Sequence, residues 1–297
     1  MRFIRYTNHN EIHLGVLSQD ETYVISLQEI LGKNYANTMQ TFIEQAKDGD
    51  MKKIQDYLES HCSGVCIEDV QLLAPMERSI HDVIAVGLNY QEHIDEADRG
   101  FTRHVEKKDP PIYFGKRTTY ITGPSETVYA CFDLDEKVDY EVELAVIIKK
   151  RGKDIPVEEA MDYVFGYSIL NDLSSRGLQR GRIQWNKGKS LDGYTIMGPC
   201  IVSADAFDPN ASHAVQCYIN QELRQNGNTT QMIHKVAELI SDYSQGITLE
   251  AGDIISTGTP SGVGMGFEVP KWLTEHDEMK CVIEGIGVLE NKIQKRK

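Results

Sequence analysis

The stretch "KVDYEVELAVII", Lys137 to Ile148, places a carboxylate at every second residue. Asp139, Glu141 and Glu143 share one side, continued there by Ala145 and Ile147. Val138, Tyr140, Val142, Leu144, Val146 and Ile148 take the other, so alternation and β-branched content predict a strand. Carboxylates at i and i+2 leave one face with their Cα atoms roughly 7 Å apart. If Ala145 and Ile147 are buried, Glu141 and Glu143 lie at the edge of an apolar interior. Like charges there raise one another's pKa and cost stability unless a cation neutralises them. Arginines would do so, and so would a bound divalent metal. A solvated face, on which the acids matter little, is the other reading.

A further carboxylate bears on that choice. "VFGYSILNDLSSRGLQ" reads as an apolar strand ending in Asn171 and Asp172, then a Ser-rich turn with Arg176. A strand-end Asp either points into a site rooted on the sheet or caps the following turn. Together, Glu141, Glu143 and Asp172 would form an all-oxygen set, which favours Mg²⁺ or Mn²⁺ over zinc. Lys187 and Lys189 follow in "NKGKSLDGYTIMGPC". The loop "STGTPSGVGMG", with Gly258, Gly262, Gly264 and Gly266, would let backbone N–H groups approach an anion. It lacks the Gly-Lys-Ser/Thr ending of a P-loop.

These residues need a scaffold, and the chain supplies one rich in strands. "RFIRY", "HLGVLS" and "TYVISL" are short strands, residues 36–61 carry helical spacing, and "CIEDVQLLAP" returns to strand. Residues 1–72 are expected to form a small α+β N-terminal domain, with a second domain over 73–297. In the second, "VIAVGL", "PIYFGK", "SETVYA", "IMGPCIVS", "AVQCYIN", "GDIISTG" and "MKCVIEGIG" are strands. "PVEEAMDYV" and "HKVAELISDYSQG" are its few helical patterns. Many strands with few crossover helices argue an α+β, β-rich sandwich or barrel over a doubly wound sheet.

The balance of 45 acidic against 31 Lys and Arg residues, a net charge of -14, argues against a nucleic-acid partner. No apolar run reaches the roughly 20 residues of a membrane span, and the N-terminus lacks a secretory signal pattern. A cytoplasmic, soluble protein is expected. Six cysteines in 297 residues make no disulfide framework. Cys62 and Cys66, without a second Cys/His pair at ligand spacing, read as structural.

"VGLNYQEHIDEA", "DYEVELAVII", "GYSILNDLSSRGLQ", "GKSLDGYTIMGP" and "GDIISTGTPSGVG" occur in this order. Together they resemble the fumarylacetoacetate hydrolase family, its bacterial-type and acylpyruvase-like branch, over roughly residues 70–297. The resemblance implies the mixed β-sandwich or roll of that family's C-terminal domain, a homodimer, and Mg²⁺ or Mn²⁺. It implies Glu141, Glu143 and Asp172 as metal ligands and Lys189 as the group facing the substrate or a leaving enolate. Arg176, Gln179, Gly258 and Thr259 would bind substrate. Gly177 stands where many relatives carry an acidic residue. "NYQEHIDEA" matches a lid, on which His93 and Glu96, three apart, share a helix face. A carboxylate beside an imidazole raises its basicity and orients it, as activation of water requires. An exposed helix pair is the ordinary alternative at that spacing.

The implied activity is hydrolysis of the C3–C4 bond of a 2,4-dioxo acid of acylpyruvate type. His93 and Glu96 would activate water, and the C2 oxygen would take up enolate charge. Oxaloacetate decarboxylation at the same site is the alternative, and a non-catalytic metal-binding scaffold is a third. Tyr194, Met197 and Phe267 are expected in the core or in the pocket wall.

Overall fold

The computed structural model describes residues 1–32, 35–61, 63–97 and 109–297. Cys62, one of the two cysteines singled out above, lies outside the described residues. The leading segment runs β1 (Arg2–Asn8), β2 (Glu11–Leu17), β3 (Tyr23–Ser26), α1 (Leu27–Leu31), α2 (Met39–Gln45), α3 (Asp48–Ser60), β4 (Val65–Cys66) and β5 (Gln71–Leu73). Then come β6 (Val83–Gly87), α4 (Gln91–Ala97), β7 (Ile112–Lys116), β8 (Thr127–Ala130), β9 (Val138–Asp139), β10 (Val142–Ile148), β11 (Val164–Asp172) and β12 (Ser174–Ser175). The chain continues with α5 (Arg176–Arg180), α6 (Asn186–Lys189), β13 (Thr195–Ser203), β14 (Ala214–Ile219), β15 (Glu222–Asn228), α7 (Val236–Ser244), β16 (Ile254–Ser256), β17 (Glu278–Ile283) and β18 (Gly287–Lys295).

Among the described residues the larger sheet runs β4-β3-β2-β1-β13-β11-β10-β16-β6-β7, with β5 also on β1. The smaller runs β15-β14-β17-β18-β8. β1 pairs with β13, Phe3 opposite Ile201, so hydrogen bonding is continuous across the 72/73 boundary. The strand-rich α+β architecture is the one expected from the sequence.

β10 is buried along its whole length and its two faces meet different layers. Val142, Leu144, Val146 and Ile148 share a core with Val215, Cys217, Ile283 and Leu289 of the smaller sheet. Ala145 and Ile147 share the opposite core with Met39, Phe42 and Ile43 of α2 and Ile54 and Leu58 of α3. Phe42 reaches Phe3 and Phe165 with ring centroids 5.3 and 6.1 Å away. Burying such a ring stabilises by about 1.5–3 kcal/mol. The helices of the leading segment therefore cover the far half of the face that carries Glu143.

Two local readings are corrected. The helical pattern over 36–61 forms two helices, because Lys47 is extended (φ -105°, ψ 162°). Thr38 Oγ1 caps α2 by accepting from Thr41 N at 3.0 Å, and Asp50 accepts from Lys47 N at 3.1 Å to start α3. "PVEEAMDYV" forms a 3₁₀ helix over Val157–Tyr163 rather than an α-helix. No helix among the described residues is long and apolar enough to cross a membrane.

Candidate metal centre and cleft

The acidic stretch is not one uninterrupted strand. β9 pairs with β12, whereas β10 lies between β11 and β16, and the chain changes partners at Tyr140–Glu141. The break is closed by Asn171 and Asp172 at the end of β11. Asn171 Oδ1 accepts from Glu141 N at 3.0 Å, and Asp172 N donates to Glu141 O at 2.8 Å. Asp139 is thereby separated from the other two acids. It is fully buried, its Oδ2 accepts from Arg176 Nε at 2.9 Å, and its Oδ1 accepts from Gly264 N at 2.6 Å.

Glu141, Glu143 and Asp172 come together, each offering a carboxylate oxygen within 4.8 Å of the others, and all three are buried. The solvated-face reading therefore fails, and both forms of compensation have material. Arg176 Nη2 lies 2.7 Å from Glu141 Oε1, while Lys189 Nζ lies 2.5 Å from Glu141 Oε2 and 2.7 Å from Asp172 Oδ2. Glu143 has hydroxyl and amide partners instead: Ser256 Oγ donates to its Oε2 at 2.5 Å and Gly258 N at 2.9 Å.

The charges divide these acids. Burial works to raise the Glu141 carboxyl, but Lys189 and Arg176 overcome it and hold the group below the ordinary carboxylate range. Burial raises Glu143 well above that range, and Asp172 and Glu141 push the same way. Burial opposes the Lys189 ammonium, yet Asp172 and Glu141 hold its pKa above the usual lysine value. A buried carboxylate held up by its like-charged neighbours is stabilised in its charged form by a cation. Three carboxylate oxygens at this spacing suit a hard, oxygen-seeking divalent ion.

Across the cleft, His93 on α4 is buried, with Nδ1 3.5 Å from Glu96 Oε2. Glu96 Oε1 accepts from Gly262 N at 2.8 Å, and Glu92 Oε2 accepts from Ser261 Oγ at 2.9 Å, so α4 docks on the Gly-rich loop. Gly262 has φ +97°, and a Cβ there would lie 1.9 Å from the Arg224 carbonyl oxygen, so the loop requires glycine. His93 lines one cleft with Glu141, Glu143, Arg176, Gln179, Lys189 and Thr259, and Val86, Leu88, Phe114, Trp185 and Met265 form its apolar wall.

The sequence-derived residues thus converge, with differences in detail. Gln179 Oε1 accepts from Arg176 Nη1 at 3.0 Å and so helps to aim the guanidinium. The Gly258 amide is committed to Glu143. Thr259 Oγ1 donates to Val142 O at 2.9 Å and accepts from Gln225 Nε2 at 2.7 Å. Lys187 is exposed and does not line the cleft. Tyr194 and Met197 are core residues, and Phe267 is half-buried beneath Lys271 Nζ, 4.5 Å from its ring centroid.

Three supporting residues escaped the sequence reading. Asp135 Oδ2 accepts from Ser175 Oγ and Gly177 N, both at 2.6 Å, and from Leu178 N at 3.1 Å. A Cβ on Gly177 would lie 2.6 Å from that carboxylate, so Asp135 holds the start of α5 and Gly177 leaves it room. Gln225 reaches across from β15, accepting from Val142 N at 3.0 Å while donating to Thr259 Oγ1. Lys116, at the end of β7, is fully buried with Nζ 2.6 Å from Asp172 Oδ1. A lysine closing the apolar run "PIYFGK" was the one available sequence signal.

A buried three-carboxylate centre beneath an imidazole–carboxylate pair on a β-rich sandwich defines a class of enzyme, and the comparisons agree with it. The family profile described as fumarylacetoacetate (FAA) hydrolase C-terminal matches residues 82–294. The chain belongs to the fumarylacetoacetate hydrolase family. It is 36% identical over 307 residues to the oxaloacetate tautomerase YisK of Bacillus subtilis, covering 99% of this chain and all of that protein. It is 38% identical over 283 residues to a mitochondrial oxaloacetate tautomerase of Bos taurus, covering 95% of this chain and 87% of the relative. Among solved structures, the fumarylacetoacetate hydrolase of Exiguobacterium antarcticum superposes over the full length of both chains with TM-score 0.83 at 36% identity. The maleylpyruvate hydrolase of Sphingobium sp. SYK-6, in complex with manganese(II) ion and pyruvate, also matches over both full lengths, with TM-score 0.80 at 26% identity.

Proposed function

We propose that this enzyme interconverts the keto and enol forms of a 2-oxo acid of the oxaloacetate type by moving a proton at C3. The observation that carries the reading is His93, buried in the same cleft as Glu141 and Glu143, the two acids that Asp172 joins, with one ring nitrogen turned to Glu96. That contact leaves the other nitrogen to face substrate as the proton-transferring atom. In the forward direction the imidazole takes a C3 proton, and the C–H electron pair moves into the C2–C3 bond. The carbonyl pair moves to the C2 oxygen, which takes a proton from solvent to give the enol, and the imidazolium returns its proton to solvent. Glu96 stabilises the imidazolium formed on the way. Lys189 and Arg176 supply positive charge next to the oxygen that becomes negative. A divalent cation, Mg²⁺ or Mn²⁺, held by Glu141, Glu143 and Asp172 would polarise the 2-oxo group. Similarity over 95% or more of this chain to two oxaloacetate tautomerases supports this order of preference.

Hydrolysis of a 2,4-dioxo acid at C3–C4 is the second reading, favoured by the same pair, since an imidazole that takes a C3 proton can equally take one from water. Decarboxylation of oxaloacetate would use the charge-stabilising side of the cleft without the base.

Purified protein with Mg²⁺ or Mn²⁺, compared with EDTA-treated protein, separates the three. Enol-to-keto conversion of oxaloacetate above the metal-only rate is the expected outcome. Metal-dependent acetate release from acetylpyruvate would put hydrolysis first. Pyruvate and CO₂ from oxaloacetate without accelerated tautomerisation would put decarboxylation first.

A further inference from the structure

Lys116 has no part in the chemistry above, yet its ammonium lies against the centre. Its side chain is fully buried. Nζ is 2.6 Å from Asp172 Oδ1, donates to Leu173 O at 3.2 Å, and donates to the carbonyl of Lys189. The two carbonyls accept its hydrogen bonds, and the Asp172 carboxylate is its counter-charge in an ion pair. Lys116 does not line the cleft, whereas Lys189 does, so the two ammonium groups meet Asp172 on different oxygens, one from outside the cleft and one from its lining. The two Asp172 oxygens are thereby assigned, Oδ1 turned back to Lys116 and Oδ2 forward to Lys189.

The contact with the Lys189 carbonyl has its own physical reason. α6 is a helix of four residues, Asn186–Lys189, without a side-chain cap. Carbonyls at a helix C-terminus lack intrahelical donors, and an ammonium is a favourable partner for them. One buried cation on β7 thus fixes a proposed metal ligand at the end of β11 and the backbone of the lysine that faces it. A buried Lys–Asp pair is seldom retained for stability alone, because apolar residues of similar volume fill the same space at least as well.

We propose that Lys116 is a positioning residue of the metal centre, holding Asp172 and Lys189 in register with each other from outside the cleft. The inference rests on the reading of Asp172 as a metal ligand. Outer-shell partners that orient a ligand typically change metal affinity or activity by roughly 10- to 100-fold when removed.

The test is Mn²⁺ affinity, read as free Mn²⁺ by electron paramagnetic resonance, on wild type, Lys116→Met, Lys116→Gln and Asp172→Asn. Thermal melting of each without added metal and the division of any kinetic loss between kcat and KM complete the set. Lys116→Met is expected to bind Mn²⁺ about 10- to 100-fold more weakly and to lose kcat, with Lys116→Gln, which keeps donors, between it and wild type. A folded Lys116→Met that binds Mn²⁺ as tightly as wild type, or tighter, overturns the proposal. If Lys116→Met does not fold, Lys116→Gln is judged by the same criterion. Asp172→Asn separates the two claims. Loss of Mn²⁺ binding there with none in the Lys116 variants rejects the role of Lys116 alone. Retained binding in Asp172→Asn rejects the metal assignment and the role of Lys116 with it.

Discussion

The two sides of the cleft are built differently. The floor is held by buried ion pairs and hydrogen bonds between separate strands: Asp139 to Arg176, Arg176 and Lys189 to Glu141, Lys189 to Asp172, and Ser256 to Glu143. Apart from Glu143, each charged group there is fixed by at least one partner that also fixes another. The α4 side rests on the Glu92–Ser261 and Glu96–Gly262 contacts, and its His93–Glu96 pair is long at 3.5 Å. Charge stabilisation needs donors aligned in advance, since electrostatic catalysis gains from having nothing left to reorganise. Proton transfer tolerates a base that tightens only when substrate is present. On the proposed function, the floor binds and the helix moves the proton.

Breaking the floor should have the largest effect. Glu143→Ala is expected to remove measurable Mn²⁺ binding and to lower turnover by about three orders of magnitude, since a Lewis acid supplies several kcal/mol. Equilibrium dialysis and steady-state rates on one preparation would check both. His93→Ala should lower turnover by about 10²- to 10⁴-fold with Mn²⁺ affinity unchanged. If both variants lost metal together, the division between the two sides would be wrong.

The raised Glu143 carboxyl adds a pH signature. Burial, Asp172 and Glu141 favour its protonated form, whereas a cation needs the carboxylate, so binding must release a proton below the raised value. Affinity should therefore fall as pH falls through that value. Calorimetry in buffers of different ionisation heat would show the released proton, and its absence throughout would remove Glu143 from the ligand set.

Smaller changes sharpen the contrast. Gly177→Ala would drive a methyl against Asp135, and overpacking of this kind costs about 1–3 kcal/mol, readable as a lower denaturation midpoint. Ser261→Ala removes the partly exposed contact to Glu92 and should change stability by less than about 1 kcal/mol. Its effect is expected in KM or kcat, and a melting shift as large as that of Gly177→Ala would contradict the assignment.

How far the site can be read from the sequence depends on what fixed each residue. Asp172 is legible because it ends an apolar strand, and Glu141 and Glu143 because strand alternation carries face information locally. The same rule misgrouped Asp139, because the change of strand partners at Tyr140–Glu141 is set by β11, β12 and β16, far along the chain. The helical span over 36–61 hid a break at Lys47, where Asp50 accepts both from Lys47 N and from the more distant Tyr35 hydroxyl. Asp135, Gln225 and Lys116 act at sequence separations of 42, 83 and 73 from Gly177, Val142 and Lys189. No local period encodes contacts of that kind.

The most direct measurement is the rate of oxaloacetate enol-to-keto conversion with Mg²⁺ for wild type and His93→Ala, each corrected for the metal-only rate. The account predicts acceleration by wild type that EDTA abolishes and that His93→Ala lacks. Equal rates for the two proteins, or a wild-type rate indifferent to EDTA, would contradict it.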